Sequence, residues 1–179
     1  MAACARVAAG GHCILQTHHG LAHSRENDAA HSLLERIRRT RAKGVVVNVW
    51  ASWCGSCKAD LPMLLKLQKS FGSSIELFLV SVDEESSLPL AAEMLRGFEA
   101  PGPNFIVDEP LEEFKAALNP RWPGMLPASF LFDTAGKLHY FWGGPVLEED
   151  VAPLLRRYLA GENIDGEANF ALAPGAVTH

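Results

Sequence analysis

Two cysteines separated by two residues follow an apolar segment of the chain. Residues 45–50 read VVVNVW, and Cys54 and Cys57 come shortly afterwards, with Gly55 and Ser56 between them. A run rich in β-branched residues is typical of a strand buried on both faces of a sheet. Two thiols at this spacing can form a disulfide or bind a metal ion. The segment therefore predicts either a redox centre or part of a metal site.

The residues after the cysteines predict a helix over 57–70, with Pro62 set inside it. A thiol just ahead of a helix lies near unpaired backbone N–H groups and the positive end of the helix dipole. Both favour the thiolate, which is the nucleophilic form. Cys57, inside the first turn, is then placed to attack a mixed disulfide on Cys54. The order of buried strand, cysteine pair and helix therefore favours dithiol–disulfide chemistry.

Other uses of the cysteine pair are less well supported. A zinc site needs two further ligands in register, and Cys4 and Cys13 lie in an N-terminal segment with no compact ligand spacing. A c-type haem site has a histidine after the second cysteine, where this chain has Lys58. A metal-binding or purely structural module is the alternative to redox turnover.

The composition fits one globular domain. Of 179 residues, 48% are hydrophobic and 21% charged, which is an ordinary balance for a folded domain. The net charge of −5 argues against a nucleic-acid partner, because such proteins carry an excess of basic charge. No run approaches the roughly 18 apolar residues of a transmembrane helix. No basic start followed by an apolar core marks a signal peptide.

Hydrophobic periodicity and turn residues predict alternating helices and strands. The predicted elements are helix 29–43, strand 45–50, helix 57–70, strand 75–82, helix 87–96, strand 104–107, helix 110–118, strands 128–132 and 137–142, and helix 147–160. Alternation implies parallel pairing, and the last two strands form an antiparallel hairpin. The fold class is therefore α/β, with a central mixed sheet flanked by helices over residues 28–161. Residues 1–27 are predicted to be a disordered tail and residues 162–179 a C-terminal tail.

The segment VVNVWASWCGSCKADLP, residues 46–62, resembles the active-site segment of the thioredoxin superfamily. It is most similar to the extracytoplasmic thiol–disulfide oxidoreductases of the TlpA/ResA type. The segment LPASFLFD, residues 126–133, adds to the resemblance, which covers about residues 45–160. It implies a thioredoxin fold with a TlpA/ResA-like strand–helix insertion at residues 104–118. A charged helix stands where members of this group usually carry a β-hairpin before the active-site strand.

The resemblance implies a role for each residue of the cysteine motif. Cys54 would be the exposed nucleophile and Cys57 the buried resolving thiol. Gly55 and Ser56 would set the loop between them, with Ser56 in place of the proline that thioredoxins most often have. Trp53, next to the nucleophile, is expected to cover the dithiol and to line the substrate-binding face.

Two further positions carry functional expectations from the same resemblance. Pro127 would be a cis-proline packed across from the cysteines, presenting the backbone of Leu126 to a substrate strand. Asn48 stands where thioredoxin has a buried acid, and an amide cannot accept a proton. Asp60, three residues after the second cysteine, stands where the TlpA/ResA type has its acid. We expect Asp60 to accept the proton of Cys57.

The expected function is that of a thiol–disulfide oxidoreductase acting on protein disulfides. Such a dithiol needs no metal and no organic cofactor, but it needs an upstream redox partner to reset it. The resemblance suggests reduction of disulfides in the periplasm, in proteins such as apocytochrome c or copper-site proteins. Because no export signal is visible, a cytoplasmic location is the alternative.

Overall fold

The computed structural model describes residues 21–22, 29–102 and 104–169, which form a central sheet between two layers of helices. The helices within these ranges are α1 Ala29–Arg38, α2 Gly55–Phe71, α3 Leu88–Gly97, α4 Leu111–Leu118 and α5 Glu148–Leu159. The strands are β1 Leu21–Ala22, β2 Gly44–Trp50, β3 Ile75–Ser81, β4 Asn104–Ile106, β5 Ala128–Asp133, β6 Leu138–Gly143 and β7 Gly166–Asn169. No helix among the described residues is long and apolar enough to cross a membrane.

Strand β2 lies at the centre of the sheet. The strand order is β1-β4-β3-β2-β5-β6-β7. β2 pairs in parallel with β3 and antiparallel with β5, so both of its edges are hydrogen-bonded. All of its residues are buried, as the apolar run predicts. β5 and β6 form the predicted antiparallel hairpin. The predicted α/β architecture with a mixed sheet is confirmed.

Side-chain alternation along β2 builds two hydrophobic cores, because successive residues of a strand point to opposite faces. Val45, Val47 and Val49 pack with residues of α1 and α4. Val46 and Trp50 pack with residues of α2, α3 and α5. The sheet therefore needs helices on both faces, and the helix that carries the cysteines covers one of them.

Helix α1 ends at Arg38, earlier than the predicted end at residue 43. The hydroxyl of Thr40 donates to the carboxylate of Glu76 and accepts the N–H of Ala42. The bond from Ala42 to Thr40 is a local backbone-to-side-chain hydrogen bond, and bonds of this kind compete with the helical pattern. The N–H of Lys43 donates to the carbonyl oxygen of Ser74 at 2.9 Å, so the chain already follows the start of β3 at this point.

Two strands lie in segments that we predicted to be tails, and the prediction is wrong at these residues. β1 pairs in parallel with β4, and β7 pairs in parallel with β6. Ile164 is buried just before β7, and the neighbouring Asp165 accepts a hydrogen bond from Lys137 at 2.7 Å. Short edge strands held by backbone pairing leave little hydrophobic pattern in the sequence. The rest of the predicted tails, residues 1–20, 23–27 and 170–179, lies outside the described residues.

The first residue of β2 is in close contact with helix α5. A Cβ atom added to Gly44 would lie 2.6 Å from Cε1 of Tyr158, whose hydroxyl donates to the carbonyl oxygen of Lys43 at 2.8 Å. The tyrosine ring therefore closes over the glycine and fastens the start of the central strand to the last helix.

We predict that Gly44→Ala lowers the free energy of unfolding by about 1–3 kcal/mol, because the ring must move to admit the methyl group. Chemical denaturation followed by circular dichroism measures this change. Gly97→Ala is the control, since a Cβ at Gly97 meets nothing within 4 Å. Equal stability of the Gly44→Ala variant and the parent chain would contradict the close packing.

Candidate active site

The cysteine pair lies where strand β2 leads into helix α2. The helix begins at Gly55 rather than at Cys57, and Cys54 is its N-cap. The N–H of Cys54 donates to the carbonyl oxygen of Ala51 at 3.1 Å, which closes the turn before the helix. The N–H of Cys57 donates to Sγ of Cys54 at 3.2 Å. The sulfur therefore occupies the place of a capping oxygen, and the helix start favours negative charge on it.

The two sulfur atoms are bonded to each other and differ in exposure. They lie 2.10 Å apart, with 5.3 Å between the Cα atoms. Cys54 is 7% exposed and Cys57 is 0% exposed, so Cys54 is the more accessible of the two. Cys54 is nevertheless largely covered rather than open to solvent. Gly55 and Ser56 are exposed, and Oγ of Ser56 lies 3.5 Å from Sγ of Cys54.

Asp60 is a buried carboxylic acid on the same helix as the cysteines. It is 5% exposed and lies one helical turn after Cys57. Burial raises the pKa of Asp60 from 3.8 to about 6, although a hydrogen bond from the N–H of Val146 to Oδ2, 3.2 Å long, lowers it in part. A carboxyl group with a pKa near 6 can both accept and release a proton near neutral pH.

The predicted proline lies at the same edge of the sheet as the cysteines. The Leu126–Pro127 peptide bond is cis, as predicted. Ala128, the first residue of β5, pairs with Val49 of β2, so Pro127 lies beside the point where the chain leaves β2 for the cysteine turn. Leu126 packs against the core cluster that contains both cysteines. The carbonyl oxygen of Pro127 accepts the N–H of Gly144 at 2.9 Å, which holds this loop against the end of β6.

The two tryptophans beside the motif have opposite environments. Trp50 is 0% exposed and belongs to the core, whereas Trp53 is 66% exposed. The roles expected for Trp53, covering the dithiol and lining the substrate-binding face, stay predictions. Trp53 lies directly before Cys54, the more accessible of the two cysteines.

Asn48 is buried in the middle of β2. Its Nδ2 donates to Oγ of Ser129 at 3.0 Å, and its Oδ1 has no hydrogen-bond partner among the described residues. Alternation along β2 puts Asn48 on the face covered by α2, α3 and α5, the same face as the cysteine helix. The amide bridges β2 and β5 and, as expected, offers no carboxylate for proton transfer.

Sequence analysis did not single out Asp83, which lies between the predicted strand 75–82 and the predicted helix 87–96. Asp83 is 3% exposed. Its Oδ1 accepts the hydroxyl of Ser52 at 2.6 Å, and its Oδ2 accepts the N–H of Ser52 at 2.8 Å. The hydroxyl of Ser81 also donates to Oδ2, at 2.7 Å. An acid directly after a buried parallel strand was the available signal, since such a position lies at the carboxyl edge of the sheet.

A metal site would need ligands from elsewhere in the chain. Within residues 21–22, 29–102 and 104–169, no group of three or more His, Cys, Asp or Glu side chains is placed to hold a metal ion. Cys4 and Cys13, the other two cysteines of the sequence, lie outside these ranges.

Comparison with known proteins finds similarity to the thioredoxin family and to thiol–disulfide oxidoreductases. The family model Thioredoxin matches residues 27–98. A thiol–disulfide oxidoreductase, ResA, of Geobacillus kaustophilus is 30% identical over 118 residues, which cover 65% of this chain and 63% of that protein. The thiol:disulfide interchange protein DsbE of Allochromatium vinosum is 27% identical over 121 residues, which cover 65% of this chain and 62% of that protein.

Solved structures share the fold. A thiol:disulfide interchange protein of Chlorobium tepidum superposes with a TM-score of 0.55 at 23% identity, covering 65% of this chain and 80% of that one. A thioredoxin-related protein of Neisseria meningitidis superposes with a TM-score of 0.58 at 19% identity, covering 69% of this chain and 90% of that one. At these identities the similarity supports the fold alone.

The chain is similar to the thioredoxin family over residues 27–98, which include the cysteine pair at the start of α2. The relatives that it matches include thiol–disulfide oxidoreductases named ResA and a thiol:disulfide interchange protein named DsbE. The matched region spans 63% or less of the length of the ResA and DsbE relatives described here.

The raised pKa of Asp60 makes stability depend on pH in a defined direction. Folded Asp60 keeps its proton up to about pH 6, whereas the unfolded chain releases it near the ordinary value of 3.8. The folded form therefore binds more protons between these values, and the stability of the chain falls as the pH rises through them. Above pH 6 the loss is complete and amounts to at most about 3 kcal/mol.

We predict that Asp60→Asn makes the oxidised chain more stable at pH 8, by about 1–3 kcal/mol, because the amide carries no buried charge and can still accept the N–H of Val146. Denaturant unfolding at pH 4, 6 and 8 measures the difference, which should shrink toward pH 4. Asp108→Asn, at an exposed aspartate, should show no such trend. A gain that is the same at all three pH values would contradict the buried titration.

Proposed function

We propose that this protein is a thiol–disulfide oxidoreductase whose Cys54–Cys57 dithiol reduces disulfides of protein substrates and is thereby oxidised to the Cys54–Cys57 disulfide. The single observation that carries the proposal is the N-cap position of Cys54, whose sulfur accepts the N–H of Cys57 at the start of α2. A sulfur held at a helix start is stabilised as a thiolate, which is the form that attacks a substrate disulfide.

The first step of reduction forms a mixed disulfide. The thiolate of Cys54 attacks one sulfur of the substrate disulfide, and a new bond joins Cys54 to that sulfur. The substrate S–S bond breaks, and the other substrate sulfur leaves as a thiolate that takes a proton from water. The exposed indole of Trp53 and the cis Leu126–Pro127 segment are the surfaces that such a substrate would meet.

The second step restores the internal disulfide. Cys57 loses its proton and its thiolate attacks Sγ of Cys54, which releases the remaining substrate sulfur. Two electrons have then passed from the dithiol to the substrate, and the protein carries the Cys54–Cys57 disulfide. An upstream dithiol partner reduces this disulfide again by the same exchange.

Asp60 supports the second step as the proton acceptor. Cys57 is 0% exposed, so its ionisation needs a nearby base, because burial disfavours the thiolate. Asp60 lies one turn away on α2 with its pKa raised by burial to about 6, so it is mostly unprotonated at pH 7 and can take the proton. Asn48, on the same face of the sheet, cannot perform this role.

We further propose that the substrates are extracytoplasmic, with apocytochrome c and copper-site proteins as the leading candidates. Support comes from the TlpA/ResA-like motif and from the relatives named ResA and DsbE. Measuring the reduction potential of the Cys54–Cys57 pair tests whether the protein acts as a reductant. Reduction of a substrate requires that this potential lie below that of the substrate disulfide.

We predict that Cys57→Ser accumulates mixed disulfides on Cys54, because the resolving attack is lost while the nucleophile is kept. Non-reducing electrophoresis and mass spectrometry after incubation with a disulfide-containing protein such as insulin detect the adducts, which dithiothreitol should release. Cys54→Ser is the matched control and should trap far less. Absence of dithiothreitol-sensitive adducts in the Cys57→Ser variant would remove the main support for turnover and favour a structural module.

We also predict that Asp60→Asn forms mixed disulfides at the normal rate but resolves them slowly near pH 7. In the parent chain, resolution should accelerate as Asp60 loses its proton around pH 6. In the variant, resolution should rise only as Cys57 ionises unaided, above about pH 8. Rapid-quench measurement of the mixed disulfide over pH 5–9 gives both profiles. Superimposable profiles would show that Asp60 does not accept the proton.

A further inference from the structure

The turn that presents Cys54 is attached to the neighbouring strand by one carboxylate. Asp83, two residues beyond the end of β3, accepts both the N–H and the hydroxyl of Ser52, at 2.8 and 2.6 Å. Ser52 precedes Cys54 by two residues. A single side chain therefore fixes both the backbone and the side chain of the residue at the start of the turn.

Asp83 is itself held in place from the strand that it follows. The hydroxyl of Ser81 donates to Oδ2 of Asp83 at 2.7 Å and accepts the backbone N–H of Asp83 at 3.0 Å. The N–H of Val82 donates to the carbonyl oxygen of Trp50 at 3.0 Å, which joins the end of β3 to the end of β2. Ser52, Ser81 and Asp83 are all nearly inaccessible to water. Hydrogen bonds to a buried carboxylate are short, strong and costly to break, so this network has one stable arrangement.

We infer that Asp83 is a positioning residue for the nucleophile, which rests on the proposed oxidoreductase function. Asp83 makes no hydrogen bond to either sulfur and acts through the turn. It fixes Ser52, the Cys54 N–H then closes the turn on Ala51, and Sγ of Cys54 is brought to the N–H of Cys57. With Ser52 turned inward and buried, Trp53 is directed outward beside the nucleophile.

A positioning role and a simple charge effect have opposite consequences. If the carboxylate acts mainly through its negative charge, its removal should favour the Cys54 thiolate and lower the pKa of that thiol. If it acts by holding the turn, its loss should weaken the contact between Sγ of Cys54 and the helix start, and the pKa should rise. Whether the pKa of Cys54 rises or falls therefore distinguishes a positioning role from a charge effect.

The test compares Asp83→Asn and Ser52→Ala with the control Glu84→Gln. Ser52→Ala removes only a hydroxyl and changes no charge. Glu84→Gln removes the same unit of charge one residue further on, from an exposed side chain. The pKa of Cys54 is measured on the fully reduced chain by thiolate absorbance and by the pH dependence of iodoacetamide alkylation, with labelling assigned by mass mapping. Denaturant unfolding of each variant measures stability separately.

Both Asp83→Asn and Ser52→Ala should raise the pKa of Cys54 and slow its alkylation at pH 7, by about three- to tenfold for Asp83→Asn and less for Ser52→Ala. Glu84→Gln should leave both unchanged. A lowered pKa in Asp83→Asn with no change in Ser52→Ala would overturn the proposal in favour of a charge effect. Lower stability in both variants with unchanged Cys54 reactivity would overturn it in favour of a purely structural role.

Two features keep this test decisive. If Asp83→Asn does not fold, the reactivity of Cys54 in Ser52→Ala tests the proposal by itself. This variant removes one contact and leaves the carboxylate in place. The alkylation assay uses no disulfide substrate, so it does not depend on turnover. Failure of the parent chain to reduce protein disulfides would refute the proposed function, whereas unchanged Cys54 reactivity in folded variants would refute only the role of Asp83.

Discussion

The backbone pairing of β2 on both of its edges is the constraint on which the site depends. Because β3 runs parallel to β2 and β5 runs antiparallel, the end of β3, the start of β5 and the end of β2 lie at one edge of the sheet. Three segments distant in sequence meet there: the cysteine turn, the residues around Asp83 and the cis Leu126–Pro127 bond. The site is therefore a consequence of strand direction, and each segment contributes a different part of it.

Burial of both faces of β2 determines the rest of the architecture. A sheet with an apolar strand at its centre needs a helical layer on each side. On one side this layer is α1 with α4, and on the other it is α2 with α3 and α5. The second layer carries the cysteine pair at the start of α2, and the segment leading into α5 supplies the N–H of Val146 that donates to Asp60. The hydrogen-bond donor to Asp60 is therefore a residue that lies 86 positions away in the sequence.

Much of this could be predicted from the sequence, and the failures have physical causes. The cysteine pair, the buried strand and the hairpin are encoded by local residue types and their order, and the cis-proline was expected from the family resemblance. The start of α2 was placed at Cys57 rather than Gly55, since helix boundaries depend on capping contacts that a sulfur can also make. Strands β1 and β7 were missed because backbone pairing at a sheet edge needs no side-chain pattern. Helix α1 ends before the predicted residue 43 because the hydroxyl of Thr40 forms hydrogen bonds outside the helix.

Asp60 and Asp83 show why the roles of acids could not be separated from sequence alone. Both are nearly buried carboxylic acids that belong to the same site. Asp83 accepts three hydrogen bonds, two of them from Ser52, which hold the carboxylate in one orientation. Asp60 accepts one backbone N–H, and burial raises its pKa to about 6. A group held by several donors suits positioning, whereas a group with few donors and a pKa near neutrality suits proton transfer. The roles proposed for the two acids therefore differ with their neighbours in space, which are Ser52 and Ser81 for Asp83 and Val146 for Asp60.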